Sequence, residues 1–284
     1  MASMNWGKRL IGKIRFLRDV LKKFDDDHGF FLSAGITFNF LICLIPLIFL
    51  LLALAGTYLY SDQTVLRHIR NYLENVVPSI DPKIMENISR VIQDRKIVGI
   101  LGIGGLIWTS SWVFSSLRTA LNIVFQAKGG RSILRGKAID LLMIFLAIIS
   151  LLISMILTSA ITLIQGYRFQ TLIDIGPILQ WLLKYLVPFF FTFWMYFLVY
   201  EIIPNKKIQF RTALQAAFFT SLLWEVAKQL FGWYVLHLGR FSMVYGSLST
   251  LAIFFLWIYY SSAILILGGE VAFLLEQGRE KING

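Results

Sequence analysis

Seven ionisable residues interrupt the apolar stretches of this 284-residue chain: Arg118, Asp140, Lys184, Glu201, Glu225, Lys228 and Glu270. A charge in such surroundings is costly, so it pairs, faces a wet cavity or snorkels to an interface. Two chemistries follow. In the first, Arg118 and its helix neighbour Asn122 meet an anionic group in a polar cavity that opens to the cytoplasm. Glu201, Glu225, Lys228 and Glu270 complete the polar lining of that cavity, the glutamates setting its field or carrying protons. In the second, Arg118 pairs with one of these glutamates and Glu225 with Lys228, three positions on, and the charges only fix helix packing. Several buried charges are an expensive way merely to hold helices together, which favours the cavity for the set as a whole. Asp140 and Lys184 sit at the ends of apolar stretches, where interfacial anchoring suffices.

Catalysis finds little footing. His28, His68 and His237 are scattered, and no histidine–carboxylate cluster has metal-ligand spacing, so neither a metal nor a histidine-rich nuclease centre is expected. Cys43 is the only cysteine, and no serine lies beside a base in a recognisable motif. Gly99, Gly102, Gly104 and Gly105 crowd together, but no lysine follows as a phosphate loop requires. No nucleotide cofactor is expected, and the glycines suit close helix packing. Gly102, Gly105, Gly246, Gly268 and Gly269, with Pro46, form the set expected to serve as packing points or hinges.

The elements that must position these residues are membrane helices. The chain is 57% hydrophobic with 15% charged residues, and its mean hydropathy is +0.70, which is outside the range of ordinary soluble domains. Residues 241–276 hold the dominant stretch, uncharged from Gly246 to Gly269 and longer than the roughly 20 residues a spanning helix needs. The expected fold is all-α and polytopic, with six transmembrane helices at about residues 31–60, 97–125, 138–165, 181–203 and 213–238 and within 241–276. Residues 61–96 read as an extracytoplasmic helical hairpin with Pro78 and Pro82 at its turn. No cleavable signal peptide is expected, because the first apolar run is too long for one.

Residues 1–29 form an amphipathic arm. Trp6, Leu10, Ile14, Leu17, Leu21 and Phe24 recur every three or four positions, with Lys8, Arg9, Lys13, Arg18, Lys22 and Lys23 on the other side. Such a helix suits a headgroup layer, or the cytoplasmic face of the protein itself. The membrane domain spans 30–276 and a tail follows at 277–284. Lys and Arg concentrate in the arm, the 2–3 and 4–5 loops and the tail, which places both termini in the cytoplasm. The net charge of +11 fits anionic headgroups better than nucleic acid.

Three blocks carry a resemblance: SAGITFNFLICLIPLIFLLLALAG, GLIWTSSWVFSSLRTALNIVF, and LLWEVAKQLFGWYV through VYGSLSTLAIFFLWIYYSSAILILGGEVAF. On these, the chain resembles the BrkB/YihY family of multi-pass bacterial inner-membrane proteins. Family members tend to carry Ala-Tyr where this chain has Thr37-Phe38, and serine where it has Cys43. The resemblance implies a role in envelope integrity, serum resistance or lipid movement across the inner membrane. It also brings an old ribonuclease BN label, to which the residues lend no support.

The expected function is therefore a non-enzymatic transporter or flippase-like protein moving a lipid or amphiphilic anion. Anionic membrane lipids are its expected partners, and a homo-oligomer is allowed. The alternative is a non-transporting scaffold for envelope integrity, recruiting partners through the arm or the hairpin.

Overall fold

The computed structural model describes residues 2–59, 94–127, 132–166, 186–238 and 247–283. Most of the expected hairpin (61–93), Lys184 and the start of span four, and Gly246 lie outside the described residues. All regular structure among the described residues is helical: α1 (Ala2–Asp26), α2 (Gly29–Leu59), α3 (Arg95–Val124), α4 (Ile133–Gly166), α5 (Val187–Ile202), α6 (Phe210–Leu238) and α7 (Ser247–Asn283). Among the described residues, three stretches are long and apolar enough to cross a membrane, Gly29–Leu54, Lys96–Val124 and Leu251–Lys281, and Val187–Ile202 is a shorter apolar helix. Their large side chains face outward: Phe38, Ile100 and Trp108 are each more than half exposed. That is the surface a hydrocarbon solvent tolerates and water does not. Arg95 and Lys96, expected in the hairpin, belong to α3. α7 runs on to Asn283 rather than ending near 276, since nothing in residues 277–283 breaks a helix beyond the tolerated Gly278.

The chain divides into two compact units, Phe38–Val113 and Met1–Thr37 with Phe114–Gly284. In the smaller unit, α2 continues through Pro46. Small residues set how closely α2 and α3 approach. A Cβ on Gly102 would lie 3.1 Å from the Leu50 backbone nitrogen, and one on Gly105 would lie 3.1 Å from Pro46 Cβ. Here dispersion contacts do the work that the hydrophobic effect does in water. Cys43 Sγ lies 3.4 Å from Ser110 Oγ across the same pair of helices.

The larger unit packs α5 on α6, α6 on α7, α4 on α5 and α1 on α7. Its core joins Leu117, Leu121, Val124 and Phe125 of α3 and its end to Met143, Tyr200 and Ile266. Ala213, Ala216 and Ala217 give α6 a fully buried small-residue stripe. Tyr200 bridges three helices: its hydroxyl donates to Leu265 O at 2.7 Å and lies 3.0 Å from Thr220 Oγ1. Thr220 in turn donates to Ala216 O at 2.7 Å. The bridge fits only because position 268 lacks a side chain. A Cβ there would lie 1.8 Å from Thr220 Oγ1 and 2.2 Å from Tyr200 Oη, whereas one at Gly278 would meet nothing within 4 Å.

Gly268→Ala should therefore cost about 1–3 kcal/mol through overpacking, and Gly278→Ala should cost nothing measurable. Thermal unfolding of both variants in one detergent checks this, and equal melting temperatures would contradict the close approach.

Candidate functional site

The larger unit gathers its buried charges where α1, α3 and α5 end, α2, α4 and α6 begin, and the C-terminal half of α7 passes. Local sequence makes those ends. His28 takes a left-handed conformation (φ 55°) that closes α1 with Asp27 N–H donating to Lys23 O and His28 N–H to Asp25 O. α2 restarts at once, with Leu32 N–H donating to His28 O. α3 closes similarly: Gln126 is left-handed (φ 49°), and Ala127 N–H reaches back to Asn122 O at 2.9 Å. The last carbonyls of a helix need partners from outside it. Lys23 of α1 supplies one, its Nζ donating to Val124 O at 3.0 Å, and a cation there also complements the dipole of α3.

The same ammonium lies 2.8 Å from Glu270 Oε2, pairs with Asp27 Oδ2 and stands 4.2 Å from the centre of the Phe273 ring. Glu270 is 0% exposed. Neither of its oxygens accepts a hydrogen bond among the described residues, so Lys23 meets it as an ion pair. α7 can bring this carboxylate in because Gly269 beside it is bare: a Cβ there would lie 3.1 Å from Leu121 Cδ2 and 3.3 Å from Val124 Cγ1. Val20 and Phe24 of α1 are buried near Lys23, while Ile14, Leu17 and Leu21 are 60%, 47% and 56% exposed.

Arg118 finds its partner elsewhere. Its Nη1 donates to Asp140 Oδ1 at 2.7 Å and to Gly136 O at 2.6 Å. Asp140 is 1% exposed, with Lys137 Nζ 3.9 Å from its Oδ2. Where the sequence suggests an interfacial anchor at Asp140 and a glutamate for Arg118, the structure buries Asp140 and pairs the two. Gly136 is the cause: one turn before Asp140, it leaves room for the guanidinium, 2.9 Å from where a Cβ would stand. A glycine four residues ahead of an acid on α4 was the available signal.

The remaining expected site residues stand at separate places among the described residues. Glu225 pairs with Lys228 at 2.6 Å on their own helix. Beside Glu225, Trp224 packs against Trp257 at 4.7 Å, thirteen positions before Glu270, or about 20 Å along a helix rising 1.5 Å per residue. Glu201 is exposed. Asn122 accepts the Asn205 backbone N–H at 2.8 Å and so ties the end of α3 to the α5–α6 connection. A cleft of about 440 Å³ opens beside that tie, lined by residues including Gln126, Lys206, Phe273, Gln277 and Glu280. None of Arg118, Asn122, Glu201, Glu225, Lys228 and Glu270 lines it.

Sequence reasoning gave Glu276 no role. It is buried, accepts from Gln209 N–H at 3.3 Å and from Thr212 Oγ1 at 2.5 Å, and thus caps the start of α6 from another helix. Arg279 joins it, donating to Thr212 Oγ1 at 3.0 Å and Gln215 Oε1 at 2.9 Å.

A family profile described as Virulence factor BrkB matches residues 20–284. Among similar curated proteins, a UPF0761 membrane protein of Haemophilus influenzae is 24% identical, over 92% of this chain and 95% of its own length. Another, from Glaesserella parasuis, is 29% identical over 72% of this chain and 71% of its own. A third, from Legionella pneumophila, is 23% identical over 99% of this chain and 68% of its own. No solved structure matches. The chain belongs to the BrkB family of membrane proteins.

Removing one partner of a buried ion pair leaves an uncompensated charge, at a cost of about 3–5 kcal/mol, whereas replacing both with apolar groups of similar volume is often close to neutral. Arg118→Ala should therefore lower the melting temperature far more than the Arg118→Met, Asp140→Leu double variant does. Equal losses would place the stabilising contacts of Arg118 outside this pair.

Proposed function

Starting from membership of the BrkB family, we propose that this chain is a multi-pass protein of the bacterial cytoplasmic membrane that moves a lipid or amphiphilic anion between helices. In this reading six spans place both termini, α1 and the charged helix ends in the cytoplasm. The observation that carries it is the company α1 keeps. Along this helix, exposed Ile14, Leu17 and Leu21 alternate with exposed Arg15, Arg18 and Lys22. That surface suits the boundary of an anionic leaflet. Through Lys23 the same helix is joined to Glu270 at 2.8 Å, inside a stretch long and apolar enough to span a bilayer. A helix that senses headgroups is thereby connected to the helix a substrate would pass.

A scaffold is the second reading, and one observation favours it. Arg118, the expected anion-binding group, is occupied by Asp140 and Gly136 O, as it would be in a closed, dry core.

Translocation of a fluorescent anionic phospholipid in proteoliposomes separates the two. The transporter reading expects wild-type protein to accelerate translocation several-fold over protein-free vesicles, and folded Glu270→Gln to lose most of that gain. Wild-type protein, shown to be folded, that leaves the rate at the protein-free level would refute transport of such lipids in favour of the scaffold.

A further inference from the structure

An ammonium group has three donors and no acceptor. The pocket around Lys23 Nζ offers it two hydrogen-bond acceptors, Asp27 Oδ2 and Val124 O, and an ion-pair partner in Glu270 Oε2 at 2.8 Å. A fourth side is the face of Phe273, 4.2 Å away, and aromatic faces attract cations most where water is excluded. Both oxygens of Glu270 are buried without a hydrogen-bond partner among the described residues. The pocket thus has more capacity for positive charge than its present occupant uses.

We infer that this pocket is a binding site for a primary ammonium group, filled in this structure by the chain's own Lys23. Lysine is a compact charge on a flexible four-carbon stem, so the occupant can leave without α1 unfolding. Val20 and Phe24, buried on either side of it, hold the helix in place while the stem swings. The chemistry favours an organic ammonium over a metal ion. No group of three or more His, Cys, Asp or Glu able to hold a metal occurs among the described residues, and an aromatic wall supplies no lone pair to one. Two sources carry this group, a soluble primary amine and the headgroup of an aminophospholipid. The site stands independently of lipid transport, because it concerns binding alone.

Chemical rescue tests it. Lys23→Ala removes the three carbons and the nitrogen that propylammonium contains. In nanodiscs of phosphatidylcholine and phosphatidylglycerol, the variant should melt below wild type, and millimolar propylammonium should restore at least half of the loss. Tetramethylammonium and sodium at the same ionic strength should restore little, having no N–H to donate. The Lys23→Ala, Glu270→Gln variant should show no rescue. If Lys23→Ala is not recovered folded without amine, the readout becomes the yield of monodisperse protein extracted with and without propylammonium. Nanodiscs containing phosphatidylethanolamine form the second arm: stabilisation there without soluble amine assigns the site to a headgroup, and rescue by propylammonium alone assigns it to soluble amines. Absence of rescue from both sources, equal rescue by tetramethylammonium, or rescue that survives Glu270→Gln would overturn the inference.

Discussion

One ammonium group, Lys23 Nζ, holds together the part of this protein where most of its helices begin or end. It touches the carboxylate of Glu270 in α7, the carboxylate of Asp27 in the turn that starts α2, and the last carbonyl of α3. Two of these contacts meet separate needs: a cation for the buried Glu270 carboxylate, and a donor for a helix terminus with an unpaired oxygen. Without that ammonium, Glu270 would be a charge at 0% exposure with no paired cation among the described residues.

The apolar packing explains how the charges come so close. Gly269 lets α7 press against Leu121 and Val124, and Gly268 admits the Tyr200–Thr220 bridge one residue earlier. Gly136 does the same for Arg118 and Asp140. In each case a bare backbone position sits next to, or one turn from, a buried polar group. Close approach excludes water, and excluded water makes an unpaired charge costly and a paired one rigid. The polar pairs and the glycines are therefore one design, and a change to either loosens the other.

The helical character and the long apolar stretches were legible because length and hydropathy suffice to read them. Local pairs were legible too: Glu225 and Lys228 stand three apart on one helix, and the structure joins them at 2.6 Å. The partner of Arg118 was not, because Asp140 lies on another helix and its burial depends on how α3 and α4 meet. Lys23 was harder still. A helical pattern sorts Lys22 and Lys23 alike onto the charged side of α1, and only the position of Glu270 decides that Lys23 turns inward while Lys22 stays exposed. Glu276 escaped notice because a cap supplied from a different helix leaves no local spacing to find.

The account rests on the Lys23–Glu270 pair, and a double-mutant cycle measures it most directly. Thermal unfolding of wild type, Lys23→Met, Glu270→Gln and the double variant in one nanodisc composition gives the coupling between the two side chains. Each single change should destabilise, and the double should lose less than their sum, by about 1–3 kcal/mol, as residues in one charged network do. Losses that simply add would contradict the account.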